Sequence, residues 1–136
     1  GGEEYQGEVG LLSRGIAIQG DDQSDVNGFG GHTMCKAGST CRLSNALGYR
    51  MGQMNMMARY PFHLHEMGNV SGQSYFEGLS VQDSYFRAFV VHATSNSMVS
   101  RCVAFNVTGS ALYLEDGAEV ENLLQYNLIA HVLIIS

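Results

Sequence analysis

The C-terminal half of this chain repeats itself, and this repetition constrains the fold more than any single motif does. Residues 77–83, 100–106 and 121–127 can be aligned with one another, at steps of 23 and 21 residues. Apolar residues recur at three matched positions: Leu79, Cys102 and Leu123; Phe89, Leu112 and Leu133; and Val91, Leu114 and Ile135. Periods of this length in short, β-rich segments are typical of a solenoid in which each turn buries its apolar side against the next. The pattern therefore predicts an all-β fold, a parallel β-helix.

Earlier segments extend the repeat as weaker copies. Residues 40–52 align with the later rungs, and Phe62 matches Phe89 at a longer step of 27 residues. The excess is expected in residues 68–72, whose glycines, Asn and Ser indicate a projecting loop. We expect about five rungs in a single domain, residues 1–136. Because the chain has no N-terminal Met and ends within an apolar rung, we interpret it as a fragment of a larger protein.

The composition suits such a stack and excludes one class of partner. Charged residues make up 15% of the chain, and 17 glycines supply the tight turns that short strands require. The formal net charge is −6 with no cluster of Lys or Arg, so the basic face that nucleic acid requires is absent. No apolar run reaches the roughly 18–20 residues that cross a bilayer. Contact with a membrane is therefore expected only through parts of the protein outside this chain.

The three cysteines fall into two groups. Cys102 shares a column with Leu79 and Leu123, which indicates a small, buried hydrophobic residue. Cys35 and Cys41 are close enough to close a small loop, and the sequence leaves open whether a disulfide joins them. A zinc site at this pair is disfavoured because the sequence has no second pair of cysteines.

Asp83, Asn106 and Asn127 occupy one aligned column directly after a strand. Stacked side chains of this type bond to one another and tolerate left-handed backbone angles. The chain contains two glycosylation sequons, which begin at Asn69 and Asn106. We expect Asn106 to be unmodified because the ladder engages its amide, and Asn69 to be available for a glycan if the protein is secreted.

Strand alternation predicts which side chains leave the core. If the matched apolar positions face inward, the residues between them face outward. Two outer columns result: His63, Val90, Tyr113 and Ile134, beside His65, His92, Glu115 and Ser136. Since adjacent rungs lie about 4.8 Å apart, His65, His92 and Glu115 are expected to form a continuous ladder of titratable groups. Glu66 and Asp116 lie at the adjoining turn.

Three interpretations of this ladder remain open. His65, His92 and Glu115 form a reasonable ligand set for a divalent cation, calcium or zinc. Alternatively, Glu115 or Asp116 acts as general acid or base in polysaccharide cleavage, opposite a second carboxylate and with a histidine tuning its pKa. In the third interpretation the column is only a polar surface whose members bond to each other.

Other residues near the ladder have simpler explanations. Tyr113 can stack on a sugar ring, although exposed tyrosines are common. Aromatic and methionine side chains that precede the ladder are expected to fill an irregular edge of the core: Tyr60, Phe62, Met51, Met54, Met56 and Met57. His32 is a candidate for the top of the column, whereas His131 aligns with Arg87 and is not expected to belong to it.

Three motifs resemble a known family: Gly-Gly-His-Thr-Met at residues 30–34, Arg-Tyr-Pro-Phe-His-Leu-His at 59–65 and Leu-Glu-Asp-Gly-Ala-Glu at 114–119. With these motifs in this order, the chain is similar to the β-helix region of fibrocystin, fibrocystin-like proteins and the cell-surface proteins that bind or degrade hyaluronan. The resemblance extends from about Val9 to Ala130. It implies a right-handed, pectate-lyase-like parallel β-helix of PbH1 repeats, in a secreted protein or in the ectodomain of a membrane protein.

The resemblance also implies functions and site residues. Some members of the family are reported to bind or depolymerise hyaluronan with calcium dependence, and others are receptor-like ciliary or surface proteins. The motif positions that carry over are His32, His63, His65, His92, Glu115 and Asp116. The chain departs from the family in having few basic residues with which to contact a polyanion.

Two functional hypotheses follow. In the first, the chain is an extracellular or cell-surface segment that binds a glycosaminoglycan-like polymer, or hydrolyses it as a hyaluronidase-type glycoside hydrolase. The residues assigned to proton transfer are Glu115, Asp116 and His92, and those assigned to the polymer are His63, Tyr113, Arg59 and Arg87. In the second, it is a structural or adhesive segment of a ciliary or cell-surface filament or receptor, with neighbouring protein subunits as partners. The net charge of −6 favours the second hypothesis unless a cation bridges the polymer.

Overall fold

The computed structural model describes Gly2 and residues 4–135, which form a solenoid of about four turns. The described residues form thirteen short strands and one helical turn. These are β1 (Ile16–Gln19), α1 (Ser24–Asn27), β2 (Cys35–Lys36), β3 (Arg42–Ser44), β4 (Ala46–Tyr49), β5 (Phe62–Asn69), β6 (Tyr75–Glu77), β7 (Ser80–Ser84), β8 (Phe89–Ser95), β9 (Met98–Ser100), β10 (Val103–Thr108), β11 (Leu112–Leu114), β12 (Leu123–Gln125) and β13 (Leu128–Leu133). Within this part of the chain, no helix is long and apolar enough to span a membrane.

Each turn of the chain contributes one strand to each of three sheets. The first sheet contains β1, β4, β7, β10 and β13 in that order, the second contains β2, β5, β8 and β11, and the third contains β3, β6, β9 and β12. All neighbouring strands in these sheets are parallel. The predicted parallel β-helix is therefore confirmed. Only the first sheet has a fifth strand, so the stack holds about four turns where the sequence predicted about five.

The predicted register is confirmed in the middle of the stack. Val103 pairs with Ser80 at the expected step of 23 residues, and Phe62 pairs with Phe89 at the step of 27. The extra residues of the longer step lie near the place where a projecting loop was expected. There β5 has a register shift after His65, and a turn follows the end of the strand.

The alignment of the last turn is wrong by four residues in the third sheet. Leu123 pairs with Met98 at a step of 25, and it does not continue the column of Cys102. The loop of residues 115–122 is two residues longer than the matching loop of the previous turn, and this insertion displaces β12. Because a shift of four residues preserves the alternation of inward and outward side chains, the sequence pattern fits both registers.

The end of the chain also leaves the predicted columns. Leu133 pairs with Thr108 in the first sheet, so its assignment to the second sheet is wrong. Ile134 and Ile135 follow the last strand and do not extend the outer or inner column of the second sheet. Ser136, the last member predicted for the outer column, lies outside the described residues.

The core lies between the three sheets and has aromatic side chains at its centre. Phe62 stacks on Phe89 of the next turn, with ring centroids 5.8 Å apart. Cys102 is buried, as predicted, and burial raises the pKa of its thiol to about 11, which keeps the thiol protonated and unreactive. A disulfide joins Cys35 to Cys41 across the loop between β2 and β3, which answers the question that the sequence left open.

The predicted Asp/Asn column is confirmed for two of its three members. Asn106 Nδ2 donates to Asp83 Oδ1 at 2.7 Å, and both residues are left-handed, with φ of 56° and 53°. Asn127 is not a member, because its Oδ1 accepts the N–H of Cys102 at 2.9 Å instead. The register of β10 and β13 places His131, with φ of 57°, beside Asn106.

The two glycosylation sequons differ in accessibility. Asn69 is exposed at the end of β5, whereas Asn106 is partly buried and its amide is bonded to Asp83. When the protein is expressed through a secretory pathway, we expect a glycan on Asn69 and none on Asn106. Intact-mass measurement of the wild type and of Asn69→Gln tests this, and the variant should lose the whole glycan mass. A glycan on Asn106 would contradict the ladder.

One edge of the core differs from the prediction. Met51, Tyr60 and Phe62 are fully buried, as expected. Three methionines that were expected to fill this edge are exposed instead: Met54, Met56 and Met57. They lie in the long connection between β4 and β5, where the N–H of Gln53 donates to Arg59 O at 3.0 Å and closes the loop on itself. The loop projects from the stack, so its side chains do not reach the core.

Candidate functional site

The residues expected to carry chemistry lie on the outer face of the second sheet. His63 on β5 pairs with Val90 on β8, which pairs in turn with Tyr113 on β11. In the neighbouring column, His65 pairs with His92. These pairings confirm the order that the sequence predicted for both outer columns over these strands.

This outer face is not open to solvent along its whole length, and on this point the prediction is wrong. His63 and Val90 are fully buried. A second apolar cluster covers them, formed by Val90 itself with Tyr60 and Phe86, and Tyr113 packs against it. Tyr60 precedes β5 and Phe86 precedes β8, so the segments that lead into these strands fold over the sheet. His63, which was assigned to polymer binding, is therefore out of reach of a polymer.

Three imidazoles converge beside this cover. One nitrogen from each of His63, His65 and His92 lies within 4.8 Å of the other two. The Nδ1 atoms of His65 and His92 are 2.9 Å apart, and the ring centroids of His63 and His65 are 4.8 Å apart. The side chains of His65 and His92 are 18% and 19% exposed, which leaves a narrow opening to solvent. The sequence grouped His65 with His92 but placed Glu115, not His63, as the third member.

A backbone carbonyl orients the buried imidazole. His63 Nδ1 lies 3.3 Å from Ala58 O, so its N–H donates there and Nε2 keeps its lone pair. This Nε2 atom is buried and has no hydrogen-bond partner. Burial lowers the pKa of His63 to about 4; the Ala58 carbonyl opposes this shift, and the neighbouring imidazoles add to it. His63 is therefore neutral at pH 7.

Carboxylates lie against the outer nitrogens of the other two histidines. His92 Nε2 is 3.2 Å from Asp116 Oδ2, and His65 Nε2 is 3.7 Å from Glu66 Oε2. Glu119, which the sequence analysis missed, holds the loop that carries Asp116. Its Oε1 accepts the N–H of Asp116 at 3.1 Å and the N–H of the residue after His92 at 3.0 Å. The available signal was a Glu three residues after Asp116 in a glycine turn.

Glu115 is largely buried and connects the histidines with a cationic group. Its side chain is 12% exposed. Tyr60 OH donates to Glu115 Oε1 at 3.2 Å, and Nη1 of Arg87 is 4.0 Å from the same oxygen. Glu115 Oε2 has no hydrogen-bond partner and lies 3.9 Å from His92 Nδ1. The carboxylate thus has one oxygen held in place and one oxygen directed toward the histidines.

The two arginines that were assigned to the polymer have different surroundings. The guanidinium carbon of Arg87 lies 3.8 Å from the centroid of the Tyr113 ring, and Nη1 donates to Tyr60 OH at 3.0 Å. Arg87 covers one face of Tyr113, which is therefore not a free platform for a sugar. Arg59 is exposed, and its Nη1 is 2.9 Å from His32 Nε2. Burial and this guanidinium lower the pKa of His32.

Comparison with known proteins places these features in a family. A family model described as CEMIP beta-helix matches residues 28–134. Protein rliB of Dictyostelium discoideum is 46% identical over 97% of this chain and 12% of its own length. Fibrocystin-L of Mus musculus is 30% identical over 95% of this chain and 4% of its own length. Cell surface hyaluronidase CEMIP2 of Homo sapiens is 34% identical over 93% of this chain and 10% of its own length. The chain therefore spans at most 12% of the length of these relatives.

Proposed function

This chain belongs to the CEMIP β-helix family, and on that basis we propose that it is a cell-surface β-helix segment that binds an acidic polysaccharide of the hyaluronan type. A relative that is 34% identical is named a cell surface hyaluronidase. The binding surface is the open part of the outer face of the second sheet. It contains Arg87, Tyr113 and Glu115, which we call the polysaccharide face.

The position of Arg87 supports this proposal most strongly. Its guanidinium lies against the ring of Tyr113, and the bond from Nη1 to Tyr60 OH fixes its orientation. A guanidinium held on an aromatic ring keeps its rigid fork of N–H donors, which matches a carboxylate with two parallel hydrogen bonds. An acidic polysaccharide presents carboxylates at regular intervals, so it offers the anion that this arrangement suits.

Hydrolysis of the bound polymer is the finer part of the proposal. Glu115 is assigned the proton transfer because Oε1 is held by Tyr60, while Oε2 has no hydrogen-bond partner. Asp116 supplies the second carboxylate, and His92 lies between the two, 3.9 Å from Glu115 Oε2 and 3.2 Å from Asp116 Oδ2. Most glycoside hydrolases use a pair of carboxyl groups that flank the scissile bond.

A structural role is the second candidate, and the charge of the chain favours it. The net charge of −6 opposes the close approach of a polyanion, particularly at low salt. The continuous stacking of parallel strands also suits a rigid spacer in a surface filament or receptor. In that role the outer face contacts neighbouring protein subunits.

Hyaluronan binding by the purified protein tests the proposal, with polymer size followed in the same samples. We expect Arg87→Ala to weaken binding about tenfold, which corresponds to about 1.4 kcal/mol and to the loss of a charge-assisted pair. Glu115→Gln should retain binding and abolish any shortening of the polymer. Arg42→Ala is the matched control, because Arg42 is exposed on the third sheet and bonded to Gln73.

The outcomes separate the two candidates. Binding that is weakened by Arg87→Ala, without any shortening of the polymer, would support recognition and remove hydrolysis. An absence of binding by the wild type, or an equal loss in Arg42→Ala, would remove the polysaccharide face and favour the structural segment.

A further inference from the structure

We propose that His63, His65 and His92 bind one transition-metal ion of the zinc or copper type, in a site that we call the three-histidine site. The proposal does not rest on polysaccharide binding. The three-histidine site consists of nitrogen atoms beneath and beside the apolar cover, whereas Arg87 and Tyr113 belong to the polysaccharide face.

The first argument is the direction of the three lone pairs. In each imidazole, the nitrogen outside the cluster faces an acceptor: Ala58 O for His63, Glu66 for His65 and Asp116 for His92. An imidazole whose outer nitrogen carries the proton has its lone pair on the other nitrogen. The inner atoms are then His63 Nε2, His65 Nδ1 and His92 Nδ1, and all three are available as ligands. Acceptors of this kind orient metal-bound histidines in known sites.

The second argument is the short distance between two of these inner atoms. The Nδ1 atoms of His65 and His92 are 2.9 Å apart, a distance at which two lone pairs repel unless a proton or a cation lies between them. Ligands 2.0–2.1 Å from an ion are about 2.9 Å apart at a right angle and about 3.4 Å apart at the tetrahedral angle. The two nitrogens therefore need to move by no more than a few tenths of an ångström to share an ion.

The third argument is the unpaired nitrogen of the buried histidine. His63 is fully buried, and its Nε2 has no hydrogen-bond partner. A buried polar atom left in this state costs about 1–3 kcal/mol. A metal ion bound within the cluster would remove this cost, because it supplies the electrophile that the lone pair lacks. This atom is independent of the pair formed by His65 and His92, yet it points to the same ligand.

The strands hold these ligands in place. His63 and His65 are two residues apart on β5 and therefore face the same side of the sheet, and His92 is the register partner of His65 on β8. Ligands on paired strands need little ordering when an ion binds, so most of the binding energy is retained.

The donor set identifies the class of ion. The family resemblance implies calcium, but calcium takes six to eight oxygen ligands, and three neutral imidazoles do not fit it. Imidazole nitrogen suits zinc and copper. A site with three protein ligands leaves a position open for water or for another group. Glu115 Oε2, at 3.9 Å from His92 Nδ1, is the acidic group nearest to that position, and its charge offsets that of the ion.

Metal content and affinity of the purified protein test the proposal. After treatment with a chelator, separate samples are equilibrated with Zn²⁺, Cu²⁺ or Ca²⁺, and bound metal is measured by mass spectrometry and by competition with a chelator. We expect one equivalent of zinc or copper per chain. His65→Gln and His92→Gln should weaken binding by more than about 100-fold, and Asp116→Asn, which removes only an orienting group, by about 10–100-fold.

Two controls keep the test independent of folding and of the polysaccharide. His131→Ala removes an exposed histidine outside the cluster and should bind metal like the wild type. Arg87→Ala should lose polymer binding and keep its metal. Because replacement of the buried His63 can disturb folding, the two partly exposed histidines carry the test, with circular dichroism confirming that each variant is folded.

Three results would overturn the proposal. The first is a wild-type protein that binds neither zinc nor copper stoichiometrically, since the short distance between His65 and His92 would then reflect a shared proton. The second is unchanged affinity in both His65→Gln and His92→Gln. The third is stoichiometric calcium that is lost in these variants, which would contradict the assigned class of ion.

Discussion

Phe62→Ala is expected to lower the free energy of unfolding by about 3–5 kcal/mol, the range found when a buried Phe is truncated. Phe62 is fully buried, stacks on Phe89 at 5.8 Å and lies 5.9 Å from Phe76. Its ring is therefore shared by the second and third sheets and by two successive turns. Removal leaves a cavity that the hydrogen-bonded strands around it cannot close. Urea unfolding followed by circular dichroism measures the loss as a lower midpoint.

Phe29→Ala is the matched control for this prediction. Phe29 is 51% exposed, so its truncation removes the same atoms but little buried area, and a change within about 1 kcal/mol is expected. Similar losses in both variants would mean that the aromatic centre between the sheets does not dominate stability. A loss below about 1 kcal/mol in Phe62→Ala would contradict the packing argument directly.

Gly52→Ala is expected to destabilise the protein by about 2–4 kcal/mol, because it combines backbone strain with overlap. Gly52 has a φ of +81°, which L-residues with a Cβ rarely adopt. A Cβ atom at this position would lie 2.8 Å from Phe86 N and 2.9 Å from Phe86 O, so the backbone has to move. Phe86 belongs to the cover over His63. Urea unfolding measures the loss of stability, and hydrogen exchange measures the loosening near Phe86.

Gly38→Ala separates the two contributions. Gly38 has a similar φ of +83°, but a Cβ atom there meets nothing within 4 Å. This variant carries the strain alone, and we expect it to cost about 1–2 kcal/mol. If the two alanine variants lose the same stability, the close approach of Phe86 has no energetic consequence and the prediction for Gly52 fails.

Much of the fold could be predicted because it is written in local periodicity. A rung buries every second side chain, so pairs such as Phe62 with Phe89 and His65 with His92 follow from matching the apolar positions of consecutive turns. The same rule fails where two registers satisfy it equally. The insertion in residues 115–122 shifts β12 by four residues, an even number, and the alternation cannot report it.

The candidate site was predictable in part. Alternation correctly placed His63, His65 and His92 on one face of the second sheet. It could not show that Tyr60 and Phe86 cover this face, because that contact is made by segments outside the strands and obeys no period. The burial of His63, and with it the unpaired Nε2, depends on this cover.

The order of residues alone was sufficient for the parallel stack and for the alignment of the histidines, since both follow from the repeat of a two-residue alternation. The cover over the face, the protonation pattern of the histidines and the direction of the Glu115 carboxylate required the folded chain. They depend on contacts between residues far apart in sequence, such as Tyr60 with Glu115, and on the positions of single atoms, neither of which a periodic pattern contains.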